Sequence, residues 1–456
     1  EEVNTKLKDI NLKIRRLTVN PFTIGKYVEP EDFVGRRDII SYAFNQIKYN
    51  SNGLFYGSPG IGKSSLLRYL VEPTSWEIKK YNIDINDYYV LEIDCESIEN
   101  LSVPNFWTKV IGELDQEIAN DTTLKDNIQK NLAKEIITKI DIHSLIDIHS
   151  LFRSISSQKS LVLLIDNYDT LFKTKNNYSS NEALKLLRQL KSINNHRRIK
   201  CSLIMTSSEK VDKLLEELKE DTSICEYLVT FPLEPFNDNE MGELWERMPK
   251  KWRDKKELQR KVKDLTGGYP VLFQIICYDL WNLSQKNIDK QTLKNRYEEL
   301  NERFYNQAKS KLKAIWESFT PTEQGMLLWV ILSDLKGRIK NIRKYDLSGI
   351  RRSFKEQYQV LKSLKYRKII TKTGTDINQE DIYDLTSSAL KKWAINEIII
   401  KDVNDDVVQR EKIFLFVNKK DVDMIDQLLK ELWNNKDVVK GSVIDIKEIL
   451  SLFFTA

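Results

Sequence analysis

The chain has 456 residues, with 72 Lys and Arg against 67 Asp and Glu and a formal charge of +5. That length exceeds one hydrophobic core and predicts roughly two to four domains, and the near balance of charge leaves any charged partner to be read from local clusters. Four scattered cysteines (Cys95, Cys201, Cys225, Cys277) and three histidines exclude a zinc or disulfide framework and suit a reducing cytoplasm, while the longest apolar runs, 161–165 and 326–332, are far short of the ~20 residues of a membrane span.

No signal-peptide pattern is present. The first residue is Glu1 rather than Met, so a longer natural chain is expected upstream. Val3, Leu7, Ile10, Ile14 and Leu17 alternate four and three apart, a heptad seam on a charged helix. Residues 1–19 therefore read as a helical linker packed on the body, with a coiled-coil continuation from upstream as the other reading.

An extended segment with Pro21 and Pro30 follows, running from Asn20 to Arg36 and ending in Phe33-Val-Gly-Arg36, before a helix over about 37–49. Next comes Gly57-Ser58-Pro59-Gly60-Ile61-Gly62-Lys63-Ser64, preceded by the apolar Leu54-Phe55-Tyr56 and followed by Ser65-Leu66-Leu67. Strand, glycine loop and helix in this order are a phosphate-binding loop of the GxxxxGK[ST] type. Gly57, Gly60 and Gly62 are expected to let successive N–H groups surround a phosphate at the positive end of the helix. Lys63 would reach the β- and γ-phosphates, and the Ser64 hydroxyl would hold Mg²⁺.

The pairing of NPF…FVGR with a phosphate loop about twenty residues on resembles the signal-transduction ATPases with numerous domains (STAND) and their AAA+ relatives among archaeal ATPases and origin-recognition proteins. The resemblance spans about residues 20–395. It implies that the extended segment lies over the adenine and that Gly35-Arg36 belongs to the nucleotide pocket.

Residues 88–95 (YYVLEIDC) read as a second strand, and 104–158 as helical, with Phe106, Val110, Leu114 and Ile118 at helix spacing. IDIHSL occurs there twice in tandem, at 140–145 and 146–151. A metal pair from His143 and His149 is disfavoured, since six residues apart is not one helix face.

Residues 161–166 (LVLLID) form a strand apolar on both faces that ends in an acid, as a parallel sheet covered by helices requires. Asp166 would hold Mg²⁺ at the carboxyl end of the sheet. Many relatives place a catalytic acid directly after this Asp. Here Asn167-Tyr168-Asp169 stands instead, so Asn167 would orient a water, Asp169 remains a candidate base, and hydrolysis is expected to be slow.

Residues 200–206 read as a further strand whose end, Thr206-Ser207-Ser208, occupies the place where the family senses the γ-phosphate. The Arg with which relatives often close this strand is absent at Ser208; Arg197 and Arg198, just before the strand, are candidate substitutes, with solvated surface charges as the favoured reading. Residues 227–231 complete a doubly wound sheet of five strands.

Beyond Phe236 the pattern turns helical, with Asn237 or Asp238 as a cap. Asp264-Leu-Thr-Gly-Gly-Tyr-Pro-Val-Leu272 resembles the GxP signature of a helical lid, which would bring Pro270 near adenine and ribose. From about Arg303 the order helix, helix, helix, β-hairpin, helix matches a winged helix. Within 336–372, thirteen basic residues face two acidic ones. Arg351, Arg352 and Lys355 on the third helix are candidate contacts to duplex DNA. The competing reading has the winged helix locking the nucleotide domain. Residues 400–456 hold one strand-like run (413–417) and two amphipathic helices.

The fold expected is therefore α/β: a five-stranded, doubly wound parallel P-loop domain (20–236), a helical lid (237–302), a winged helix (303–398) and a small C-terminal α/β module (399–456). The resemblance implies a cytoplasmic switch of STAND type using ATP or ADP with Mg²⁺, in signalling or defence, acting through a protein partner or self-assembly. The alternative is a DNA-binding AAA+ ATPase of origin-recognition or transposition type.

Overall fold

The five apolar runs that read as strands pair into one parallel sheet. They are β1 (Gly53–Tyr56), β2 (Tyr88–Asp94), β3 (Ser160–Asp166), β4 (Cys201–Ser207) and β5 (Val229–Pro232), in the order β2-β3-β4-β1-β5. The computed structural model describes residues 19–76, 81–99, 102–121, 137–138, 140–172, 180–217, 219–285, 290–338, 358–375, 381–399, 427–428, 430–432 and 449. The heptad seam of residues 1–18, the basic helix carrying Arg351, Arg352 and Lys355, and the strand expected at 413–417 lie outside these residues. The chain divides into two compact units, one of residues 27–58 and 62–233 and the other of residues 1–26, 59–61 and 234–456.

In the first unit, β4 is buried throughout and β3 is buried after its first residue. Cover on both faces explains why both strands read as unbroken apolar runs. At the sheet edge β2 alternates instead, burying Tyr89, Leu91 and Ile93 while Tyr88, Val90, Glu92 and Asp94 stay half-buried. The helices of this unit are α1 (Arg37–Lys48), α2 (Lys63–Val71), α3 (Val103–Asn120), α4 (Leu145–Ser156), α5 (Ser180–Asn194) and α6 (Val211–Glu217). Phe106, Val110 and Leu114 of α3 and Ile148 and Leu151 of α4 are fully buried in one core with Leu91, Leu163 and Leu203. Each such side chain contributes roughly 1.5–3 kcal/mol of burial.

The region expected to be helical over 104–158 is not continuous. Residues 140–144 are irregular with a turn at 142–143, so the two IDIHSL copies adopt different backbones. In the first copy Asp141 Oδ1 accepts from the His143 N–H at 2.9 Å, and Ser144 caps α4 by accepting from the Asp147 N–H at 3.3 Å. The second copy is helix. A cap interrupts the local periodicity, and identical residues then follow their tertiary surroundings. His149 packs edge-on to His196, with ring centroids 5.6 Å apart, and among the described residues no group of His, Cys, Asp and Glu is placed to hold a metal.

The second unit begins with the anchored segment: Asn20 Nδ2 donates to the Tyr278 carbonyl at 2.9 Å, and the Thr23 N–H donates to Gln274 Oε1 at 3.0 Å. Its helices are α7 (Asp238–Trp245), α8 (Lys256–Thr266), α9 (Pro270–Ser284), α10 (Lys290–Glu317), α11 (Pro321–Arg338), α12 (Tyr358–Tyr366) and α13 (Ser388–Ala394), and the strands β6 (Ile370–Thr375) and β7 (Asp381–Leu385) form an antiparallel hairpin before α13. Asn237 caps α7 in a reciprocal capping box with Glu240. The boundary expected between 302 and 303 falls inside α10, one continuous helix of 28 residues.

Gly267, at φ +61°, ends α8 where only glycine fits: a Cβ there would lie 2.7 Å from Ser387 Cβ and 2.8 Å from its backbone nitrogen. Ser387 Oγ donates to the Leu265 carbonyl at 2.9 Å, which keys the end of α8 to the start of α13. Four residues on, Lys391 is 3% exposed and bridges Asp334 and Asp384, each at 2.7 Å. No described helix is long and apolar enough to cross a membrane.

Asp279 of α9 is 2% exposed and pairs with Arg303 of α10 at 2.9 Å. Burial raises its carboxyl to about 6, with Arg303 opposing the rise and Glu299 adding to it. An unfolded Asp ionises near 3.9, so the unfolded state releases its proton first. The contribution of this group is thus fully present below about pH 4, is lost as pH rises through about 6, and stays lost above. Urea unfolding at stepped pH is expected to show the stability of Asp279→Asn relative to wild type growing across that window and levelling off above it.

Candidate functional site

The phosphate loop connects β1 to α2. Gly60 and Gly62 take the left-handed backbone expected, at φ +75° and +100°, whereas Gly57 does not. Gly57 continues the ladder, its N–H donating to the Ser207 carbonyl at 3.1 Å, so this first glycine extends the strand and the turn is made by the other two. Lys63 is nearly buried, its ammonium donating to the Gly57 carbonyl at 2.8 Å and the Ser58 carbonyl at 3.4 Å. The charge is therefore held over the loop that is to take a phosphate. Pro59, Gly60 and Ile61 group with the second unit, where the Gly60 carbonyl accepts from the Val271 N–H at 3.3 Å, next to Pro270 at the first position of α9. A Cβ on Gly60 would fall 2.4 Å from Val271 Cγ1.

Ser64 and Ser65 are half-buried on the first turn of α2. Ser65 Oγ accepts from the Val28 N–H at 3.2 Å, Phe33 stacks on Tyr69 at 4.9 Å, and Arg68 lies over the Tyr27 ring at 5.1 Å. These contacts tie residues 27–33 to α2 and set the start of α1, where Arg36 is buried and left-handed at φ 58°. Such a backbone in a non-glycine residue is a strain that the surroundings must hold.

At the carboxyl edge of the sheet, Asp166 is 8% exposed and anchored through Oδ1, which accepts from Thr206 Oγ1 and from the Asn167 N–H at 3.0 Å. Thr206 Oγ1 in turn accepts from the Asn167 N–H at 3.1 Å. Among the described residues no hydrogen bond reaches Asp166 Oδ2, leaving a hard oxygen of the kind that holds Mg²⁺. Asn167 is left-handed at φ 54°. Its amide donates to Asp94 Oδ1 at 3.1 Å.

The candidate base Asp169 takes its hydrogen bonds from a different residue. It is 2% exposed and turned to Ser208, whose N–H donates to Oδ1 at 3.1 Å and whose hydroxyl donates to Oδ2. Arg197 and Arg198 are exposed at the amino end of β4, opposite the acidic tips. A strand of seven residues separates them by roughly 20 Å at about 3.3 Å per residue, so they do not stand beside the acids of their own chain. The residue that sequence reading passed over is Asp94, the tip of β2 and the register partner of Asp166. Its signal was present in the parallel endings LEIDC and LLIDN.

Residues 51–350 match the model of the AAA-like domain. The chain belongs to the AAA-like domain family. This membership supports a P-loop ATPase of the AAA+ type. No curated protein matches the chain. Solved structures similar to this AAA-like chain include a Walker-type ATPase of Pyrococcus abyssi (TM-score 0.46, 17% identity, 82% of this chain and 99% of that one) and the ORC2 protein of Aeropyrum pernix in ADPNP–ADP complexes (0.44, 10%, 91% and 98%). A third is the Drosophila ORC bound to DNA (0.37, 14%, 83% and 88%).

Thr206 joins the two strand tips through one hydroxyl. Replacing it with Val keeps the shape and removes the donor to the buried Asp166 and the acceptor for the half-buried Asn167. Thr206→Val is expected to lower unfolding stability by about 1–3 kcal/mol, read from the shift of the urea midpoint at constant slope.

Proposed function

We propose that this AAA-like ATPase is a nucleotide-controlled switch of STAND type that binds ATP or ADP and hydrolyses Mg-ATP slowly. The observation that carries the reading is the Asp166, Thr206 and Asn167 cluster at the end of the sheet, two strands from the loop that holds Lys63. Loop N–H groups and Lys63 would bind the phosphates, and Gly35-Arg36 and Pro270 are proposed contacts to the rest of the nucleotide. Ser64 Oγ and Asp166 Oδ2 offer the oxygens that Mg²⁺ takes, and the ion would neutralise charge on the phosphates when bound. Asn167 has no proton affinity and directs its amide at Asp94, so the position directly after Asp166 supplies no base, which supports slow turnover.

The γ-phosphate would act by stabilising one arrangement of the domains over another, which requires different affinity for the two. A protein partner or a second copy would read that arrangement. Phosphate release measured for wild type and Lys63→Ala tests the ATPase: the variant should fall at least tenfold and lose nucleotide affinity, and equal rates would sink the reading. The figure is the conservative end of what a phosphate-binding cation contributes, on the order of tenfold per 1.4 kcal/mol.

A second reading, a DNA-binding AAA+ ATPase, is favoured by the basic run over 336–372. Part of that charge is already answered. Arg367 pairs with Glu323 at 2.5 Å, Lys368 with Glu234 at 3.3 Å and Lys372 with Asp381 at 2.6 Å. If duplex DNA is the target, affinity should fall steeply with salt and the slope should flatten by about 2 in Arg351→Ala/Arg352→Ala. A shallow slope unchanged in the variant would leave the switch reading alone.

A further inference from the structure

We infer that Asp94 is the general base of the hydrolysis proposed above, and the inference rests on that reading. An ATPase that breaks the bond to a γ-phosphate by attack of water needs a group that takes the water's proton or aligns it. The position after Asp166 carries an amide, which holds no proton at neutral pH. Asp169, the next acid in sequence, is buried with both carboxylate oxygens committed to Ser208.

Asp94 meets the requirement that these two fail. Its strand pairs with β3 in a register that puts Asp94 opposite Asp166, so the two carboxylates end their strands at the same height. It is half-buried rather than enclosed. Both hydrogen bonds it receives arrive at Oδ1, from the Glu96 N–H at 3.0 Å and from Asn167 Nδ2 at 3.1 Å, and among the described residues none reaches Oδ2. One oxygen thus fixes the carboxylate and the other is left to accept.

The left-handed backbone of Asn167, at φ 54°, gains a purpose here. It turns the side chain away from the strand direction and toward the neighbouring tip, so the amide that cannot serve as a base orients the group that does. The step balances without any added reactant but water: the water oxygen bonds the γ-phosphorus, its proton passes to Asp94 Oδ2, and the bond from γ-phosphorus to the bridging oxygen breaks with its electrons on ADP. The proton then returns to solvent as phosphate leaves.

Asp94→Asn keeps the shape and keeps Oδ1 as acceptor for both N–H donors, so the fold at the tip of β2 is preserved. Steady-state phosphate release and binding of a fluorescent ATP analogue would be measured on the full chain for wild type, Asp94→Asn, Lys63→Ala and the exchange variant Asp94→Asn/Asn167→Asp. Asp94→Asn should lose about 100-fold or more in kcat with analogue affinity unchanged, and the exchange variant, which moves the carboxylate to the adjoining tip, should regain turnover. Wild-type turnover in Asp94→Asn overturns the assignment, as does a parallel loss of analogue binding, which would make the residue structural. Equal release by wild type and Lys63→Ala would instead sink the ATPase reading beneath it.

Discussion

The parallel register of β2, β3 and β4 is the constraint on which the site depends. Asp94 lies opposite Asp166, Ile165 lies opposite Met205, and Thr206 follows at the next step. Three polar side chains from distant parts of the chain therefore finish on one level. Side chains alternate faces along a strand, so a slip of one residue would send every acid to the other side of the sheet and bury it among the helices. The unbroken apolar character of β3 and β4 resists such a slip only weakly by pattern, since both faces are apolar. The Thr206 hydroxyl between Asp166 and Asn167 and the ladder bond from the Gly57 N–H to Ser207 supply the missing specification.

The site is organised by its own hydrogen bonds. Lys63 is held on loop carbonyls, Asp166 on Thr206 and Asn167, and Asp169 on Ser208. Preorganised groups spend little on rearrangement when charge develops, which is where electrostatic catalysis gains most. The same commitments reduce the number of groups able to move a proton.

Within the second unit, the contact of Gly267 with Ser387 and the bridge from Lys391 to Asp334 and Asp384 join the turn before Pro270 to the hairpin and its closing helix. A buried lysine shared by two carboxylates is costly to break from one side, because the partners are left charged without compensation. The turn and the hairpin are accordingly parts of one packed body.

Much of this was legible from sequence because it is local. The glycine loop, the apolar strands ending in acids, the Asn237 cap and the Pro270 start of a helix each follow from side chains a few residues apart. The strand boundaries agree with the structure to within two residues at β2, β3, β4 and β5. The two IDIHSL copies mark the limit of that reasoning, since identical residues fold as turn and as helix according to what packs on them. The role of Gly57 as strand, the withdrawal of Asp169 to Ser208 and the meeting of Asn167 with Asp94 across 73 residues were decided only by tertiary structure. Sequence by itself determined that this protein binds phosphate on an α/β sheet. Which acid stands beside Asp166 was settled by strand pairing, because hydrogen bonds between strands set a register that no single stretch of chain contains.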